Sequence, residues 1–150
     1  MCTFNTAVGF GNPYALIYTN RAGRKLFYRE VVMAKFLFVL SRGTDDPVRA
    51  TRCIHLAKVA KEEGHEVNVF LIEDGVMIAK IGMVDFMRSP TGDELKPLLD
   101  YLIKAEVPML VCTPCANARH LGDEDLIKTA RFEKATKLIA LAAESKVLTF

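Results

Sequence analysis

Lys35-Phe36-Leu37-Phe38-Val39-Leu40 is apolar throughout after its first residue, and the loop Ser41-Arg42-Gly43-Thr44-Asp45-Asp46 and then Pro47 follow it at once. A strand that is apolar on both faces has to be covered on both faces, as the strands of parallel sheets are. Asp46 is placed to cap a helix with Pro47 at its first position. Ala50, Cys53, Ile54, Ala57 and Ala60 then fall on one face of that helix, which Gly64 stops. The stretch therefore predicts one strand-to-helix unit of an α/β fold.

Working outward, the same alternation recurs. Residues 67–72 read as a second apolar strand closed by Glu73-Asp74-Gly75, and Leu95, Leu98, Leu99, Leu102 and Ile103 sit at helical spacing before a third short strand over 108–112. Residues 113–121 suit a short helix, 126–131 a short extended piece, 133–144 an Ala- and Leu-rich helix, and 146–150 a last strand. Apolar strands alternating with helices predict a three-layer α/β/α sandwich around a mostly parallel sheet of about five strands. In such a sheet the strand-to-helix loops gather at one edge, outside the strand carboxyl ends. The loops 41–46, 73–76 and 112–115 are expected to converge there.

Residues 1–32 differ from the rest: Gly9, Gly11, Pro13 and Gly23 are scattered among aromatics with no sustained period of 2 or 3.6. No core element is expected there. Met33 directly precedes the first strand, so the natural protein is expected to begin at Met33, with residues 1–32 an over-extended start, a tag scar or a mobile arm, and 33–150 a single α/β domain. A transit peptide fits less well, because serines are few and no amphipathic helix is evident.

A chain of 150 residues, 51% apolar, carries one compact domain and is a poor match for disorder. Lys35, Arg42, Glu73, Lys80 and Asp85 interrupt every apolar run before it reaches the ~18 residues a bilayer requires. The net charge of +2 is too small to argue for a nucleic-acid groove, and it is unevenly placed. Arg21, Arg24, Lys25 and Arg29 face only Glu30, which leaves residues 33–150 with 16 basic and 17 acidic side chains. Cysteines at 2, 53, 112 and 115 are too few and too far apart for a disulfide framework, so a soluble protein of a reducing compartment, the cytoplasm, is expected.

The chemistry concentrates in Val111-Cys112-Thr113-Pro114-Cys115-Ala116-Asn117-Ala118-Arg119-His120. If the strand ends at Cys112, with Thr113 capping and Pro114 opening a helix, both sulfurs sit where the sheet edge meets a helix amino end. Free backbone N–H groups there favour a thiolate, and Arg119, one turn beyond Cys115, is placed to add positive charge. His120 closes the short helix and is a candidate acid or base. The competing reading makes Cys112 a small buried strand-end residue, since unpaired cysteine is among the most buried residue types. Zinc is disfavoured, because a structural site needs four ligands and there is one C-x-x-C; Cys53, His55 and His65 supply no ligand pair. Thioredoxin-type dithiol chemistry uses the same placement at a helix start and stays open.

Other features carry blander expectations. Cys53 is assigned to core packing, His55 and His65 to solvent. The 41–46 loop lacks the glycine and lysine pattern of a phosphate loop and reads as a helix cap. Met77, Met83 and Met87, with Ile78, Ile81, Val84 and Phe86, suggest ordinary core in part and, for the rest, either a contact face between copies or a lid over the thiol crevice.

Gly43-Thr44-Asp45-Asp46-Pro47 with Arg49-Ala50, then Glu73-Asp74-Gly75-Val76, then Val111-Cys112-x-x-Cys115-Ala116-x-Ala118-Arg119, in this order and spacing, resemble the DsrE/DsrF-like family of small sulfur-relay proteins. The resemblance spans 33–150. It implies a parallel-sheet protomer that forms homotrimers or homohexamers, or hetero-oligomers in the dedicated relay complexes, and a cysteine at Cys112 that accepts sulfur as a persulfide and passes it between donor and acceptor proteins. Cys115 matches a second cysteine found in part of the family, and Arg119 matches an arginine that a glycine usually follows; here that place holds His120. The expected site therefore comprises Cys112, Cys115 and Arg119, lined by Thr44, Asp45, Gly75, Thr113 and His120, with no metal, organic cofactor, nucleic acid or membrane. The alternatives are a dithiol redox protein and a ring-forming binding module with structural cysteines.

Overall fold

The computed structural model describes residues 15–19, 25–29 and 33–150. The chain divides into two units, Met1–Met33 and Ala34–Phe150. In the first, β1 (Ala15–Thr19) pairs antiparallel with β2 (Lys25–Arg29), Ala15 opposite Arg29 and Thr19 opposite Lys25. The sequence pattern places no core element here, because five-residue strands are too short to establish a period. The remaining residues before Met33, and with them the expectations about a start, tag or arm, lie outside the described residues.

The second unit begins with β3 (Lys35–Leu40), and α1 (Pro47–Glu62) follows it. Asp46 Oδ1 accepts from the Arg49 amide at 3.0 Å, as the capping pattern predicts, and Gly64 takes φ +84° at the helix exit. β4 (Glu66–Leu71) leads into a 3-10 turn over Glu73–Ala79, then α2 (Leu95–Lys104), β5 (Met109–Cys112), the short α3 (Thr113–Asn117), β6 (Ala130–Glu133), α4 (Ala135–Glu144) and β7 (Lys146–Thr149). The five strands of this unit form one all-parallel sheet in the order β6-β5-β4-β3-β7. The predicted α/β/α sandwich is the fold observed.

Alternate residues of each strand feed different layers. Phe38, Leu40, Val67, Val69, Leu71, Met109 and Val111 pack with Cys53, Ile54 and Ala57 of α1 and Leu95, Leu99 and Leu102 of α2. Leu37, Val39, Phe70 and Leu110 face the other way, where Leu138, Leu141 and Ala142 of α4 cover them. Each such fully buried Leu or Phe contributes about 1.5–3 kcal/mol relative to exposure.

The chain steps from β3 through β4 and β5 to β6 in one direction, with α1 and α2 on one face. It then returns across the sheet through α4 to place β7 on the far side of β3. Right-handed crossovers require that reversal of direction to put α4 on the opposite face. The loop after β5 thus runs to one face, where Ala116 joins the α1/α2 layer, and the loop after β6 runs to the other. The switch point of the topology falls between β5 and β6.

Two sequence expectations shift. The sixth strand is Ala130–Glu133 rather than 126–131, because pairing with β5, Met109 opposite Ala130 and Cys112 opposite Glu133, sets its register; Leu126 and Ile127 pack against the core from outside the strand. The Met-rich stretch is largely core: Val76, Ile78, Ala79 and Val84 are buried, and Met77 and Met87 pack against them. Ile81 and Phe86 stand exposed.

Candidate functional site

Cys112 is the last residue of β5, at the switch point, and its side chain is half-buried against both hydrophobic layers. It occupies the N-cap position of α3, one residue earlier than the sequence pattern placed the cap. Thr113 is instead the first helical residue, and its Oγ1 donates to the Glu133 carbonyl at 3.0 Å, which ties the thiol turn to the end of β6. Pro114, exposed, is tolerated in this first turn because the amide it lacks has no intrahelical partner there. Cys115 is half-buried against the α1/α2 layer.

Cys112, Cys115 and Cys53 are free thiols. Burial, first, and the adjacent Cys115 thiol push the Cys112 pKa above its ordinary value, opposed by a hydrogen bond from the Cys115 amide. This reverses the expected sign. A five-residue helix sums few peptide dipoles, so little remains of the helix-end effect beyond that single N–H, and desolvation wins. Cys53, wholly enclosed by α1 and the sheet, is pushed much further up by burial and is a packing residue, as expected.

Arg119 does not stand free beside the thiols. Its Nε and Nη2 donate to Asp74 Oδ1 at 3.1 and 2.6 Å, and its Nη1 donates to the Cys115 carbonyl at 3.0 Å. Asp74 lies in the turn after β4, and the residue pattern gave no sign of its role beyond placing its loop at the same edge.

The three loops do meet. Gly75 donates to the Ser41 carbonyl at 3.2 Å, and a Cβ on it would collide with the Leu40 carbonyl oxygen. A Cβ on Gly43 would collide with the Asp74 carbonyl oxygen, so the first two loops touch backbone to backbone. The third is joined to them by the Arg119–Asp74 pair. Asp45 is committed within its own loop, accepting from the Gly43 amide at 2.7 Å and from Arg42 at 3.0 Å; the Gly43 amide, first, holds its carboxyl below the usual range. Thr44 is exposed. His120 is exposed with φ +54°, a left-handed conformation that favours the glycine usual at this place. His55 and His65, expected in solvent, are both partly buried; the His65 ring lies 5.1 Å from that of Phe36, and its Nδ1 accepts from the Ala34 amide at 3.5 Å.

No three His, Cys, Asp or Glu side chains among the described residues group as metal ligands would, and no described helix is long and apolar enough to cross a membrane.

These features define a parallel α/β domain with a thiol pair at a strand-to-helix turn. The chain belongs to the DsrE/DsrF-like family, whose sequence model matches residues 34–150. It is 35% identical over 120 residues to the uncharacterized protein MJ0989 of Methanocaldococcus jannaschii, covering 77% of this chain and 99% of that one. It is 33% identical over 115 residues to the uncharacterized protein MK0008 of Methanopyrus kandleri, covering 75% and 89%. Among solved structures, the ychN protein from E. coli superposes with a TM-score of 0.65 at 20% identity, over 79% of this chain and all of that one. MTH1491 from Methanobacterium thermoautotrophicum, a protein of unknown function, gives 0.56 at 12% identity, over 78% and 99%. At these identities the structures speak for the fold. Membership supports a sulfur-relay role at the level of the family.

Proposed function

We propose that this protein is a thiol-based sulfur carrier in which Cys112 accepts sulfur as a persulfide from a donor protein and yields it to an acceptor. The observation that supports the reading most is the place of Cys112: a half-buried free thiol at the carboxyl end of a central strand, at the switch point, where open α/β sheets bind ligands.

In the loading step the Cys112 sulfur attacks the outer sulfur of the donor persulfide. A bond forms between these two atoms, the donor's sulfur–sulfur bond breaks, and the proton from Cys112 ends on the departing donor thiol. In the unloading step an acceptor thiolate attacks the same outer sulfur, and Cys112 leaves as a thiol. Neither step changes the overall oxidation state, so no cofactor is needed. Partial burial suits this task, since a persulfide exposed to bulk solvent meets competing thiols.

The presence of two free, half-buried thiols at one turn favours a second outcome at the same site. The Cys115 thiolate attacks the inner sulfur of the loaded Cys112, a Cys112–Cys115 disulfide forms, and hydrosulfide leaves; a dithiol reductant must then reset the pair.

The test is to treat the protein with a polysulfide donor and map the mass of one added sulfur. Uptake at Cys112 that disappears in Cys112→Ser supports the carrier; uptake by Cys112→Ser equal to the parent's refutes it.

A further inference from the structure

Asp74 is a polar group at this edge to which the relay steps give no role. Its carboxylate oxygen takes two donors of Arg119, whose third nitrogen holds the Cys115 carbonyl. One guanidinium is thus shared between a side chain 45 residues earlier in the chain and the peptide of the second thiol. The base on which Asp74 stands is rigid: its own carbonyl abuts Gly43, and Gly75 is wedged against the end of β3. By contrast α3 is a single turn whose N-cap, Cys112, makes no side-chain capping bond. Its side-chain ties are the Thr113–Glu133 bond and Arg119.

We propose that Asp74 is a positioning residue for the thiol pair, acting through Arg119: it fixes the guanidinium against the Cys115 turn and, by neutralising it, withholds positive charge from the two sulfurs. The inference rests on the sulfur-carrier reading for its purpose, though not for its chemistry. A guanidinium near a thiol favours the thiolate; one paired with a carboxylate acts only as a dipole. The titratable and charged groups around α3 are Cys112 on β5, Glu73 and Asp74 on the 3-10 turn, Glu133 at the end of β6, and Arg119 and His120 beyond α3 itself. Of these, Asp74 alone makes an ion pair with Arg119.

The experiment is the pH profile of iodoacetamide modification, with peptide mapping to separate Cys112 and Cys115 from Cys2 and Cys53. Asp74→Asn keeps an oxygen for the guanidinium and removes the countercharge. It is expected to lower the thiol midpoints and raise the rate at neutral pH about two- to fivefold. Asp74→Glu is expected to return toward the parent, and Asp74→Asn with Arg119→Gln to cancel the shift. Arg119→Gln alone leaves an unpaired carboxylate and is expected to slow modification, which keeps the proposal testable if Asp74→Asn does not fold. A role confined to structure predicts lower stability with unmoved midpoints, and unmoved midpoints in either single variant overturn the proposal. Sulfur uptake, measured separately on the parent, distinguishes the two failures. A parent that takes up no sulfur refutes the carrier while the charge relation stands, whereas uptake with unmoved midpoints refutes the role of Asp74.

Discussion

Arg119 and Asp74 are joined by two donors on one carboxylate oxygen, and the same guanidinium holds the carbonyl of Cys115, so the thiol turn is fastened to the loop after β4. The pair is partly exposed, with side-chain exposures of 28% and 46%, which places it among interactions of modest strength. Arg119→Ala loses the pair and the carbonyl bond together and is expected to cost about 1–2 kcal/mol. The check is a lower urea midpoint at unchanged slope.

Gly75 is where β3 and the loop after β4 make their closest approach. Its Cβ position is filled by the Leu40 carbonyl, which is backbone and cannot rotate aside. Gly75→Ala is expected to cost about 2–4 kcal/mol, far more than an alanine at an open position. Thermal unfolding of Gly75→Ala beside Gly64→Ala separates the causes. Gly64 has φ +84° with open space around it, so its smaller loss reports backbone strain alone.

Much of this architecture is legible in the sequence because its signals are local. The Asp46 cap, Pro47 and the apolar face of α1 lie within a few turns of one another, β5 is an unbroken apolar run, and β3 and β4 are apolar apart from Lys35 in the one and Glu66 and Asn68 in the other. The sixth strand is displaced because its extent is decided by hydrogen bonding to β5, which no local pattern encodes. At the site, the C-x-x-C and its place at a strand end can be read from spacing. The partner of Arg119 cannot: Asp74 is one carboxylate among many until the fold brings its loop against α3. The raised pKa of Cys112 is hidden from the sequence for a related reason. Its desolvation depends on both layers closing around it, while the helix end that opposes this is one turn long.

The direction of that shift gives a pH prediction. Burial, first, and then Cys115 penalise the Cys112 thiolate, so its ionisation is displaced to higher pH than that of an ordinary thiol. Modification of Cys112 by iodoacetamide is expected to be slower than that of free cysteine at pH 7 and to rise with pH beyond the point where free cysteine levels off. Because the Cys115 thiol adds to the effect of burial, Cys115→Ala is expected to move the midpoint down. Peptide-level mass spectrometry across pH provides the measurement.

Phe86 is 95% exposed and Ile81 61%, in the segment between the 3-10 turn and α2. Apolar side chains this open mark contact surfaces when they cluster. Native mass spectrometry is expected to find the trimer or hexamer that family resemblance implies, and Phe86→Asp to shift it toward the monomer. A monomeric parent contradicts this.

The most direct test of the central claim follows one isotopically labelled sulfur atom through the site. The protein is charged with a labelled sulfane donor, freed of excess, and mixed with an acceptor thiol. The carrier account predicts the label first on the Cys112 peptide and then on the acceptor as a persulfide, with Cys112 returned to the free thiol. Label that never resides on Cys112, or that reaches the acceptor equally well through Cys112→Ser, contradicts it.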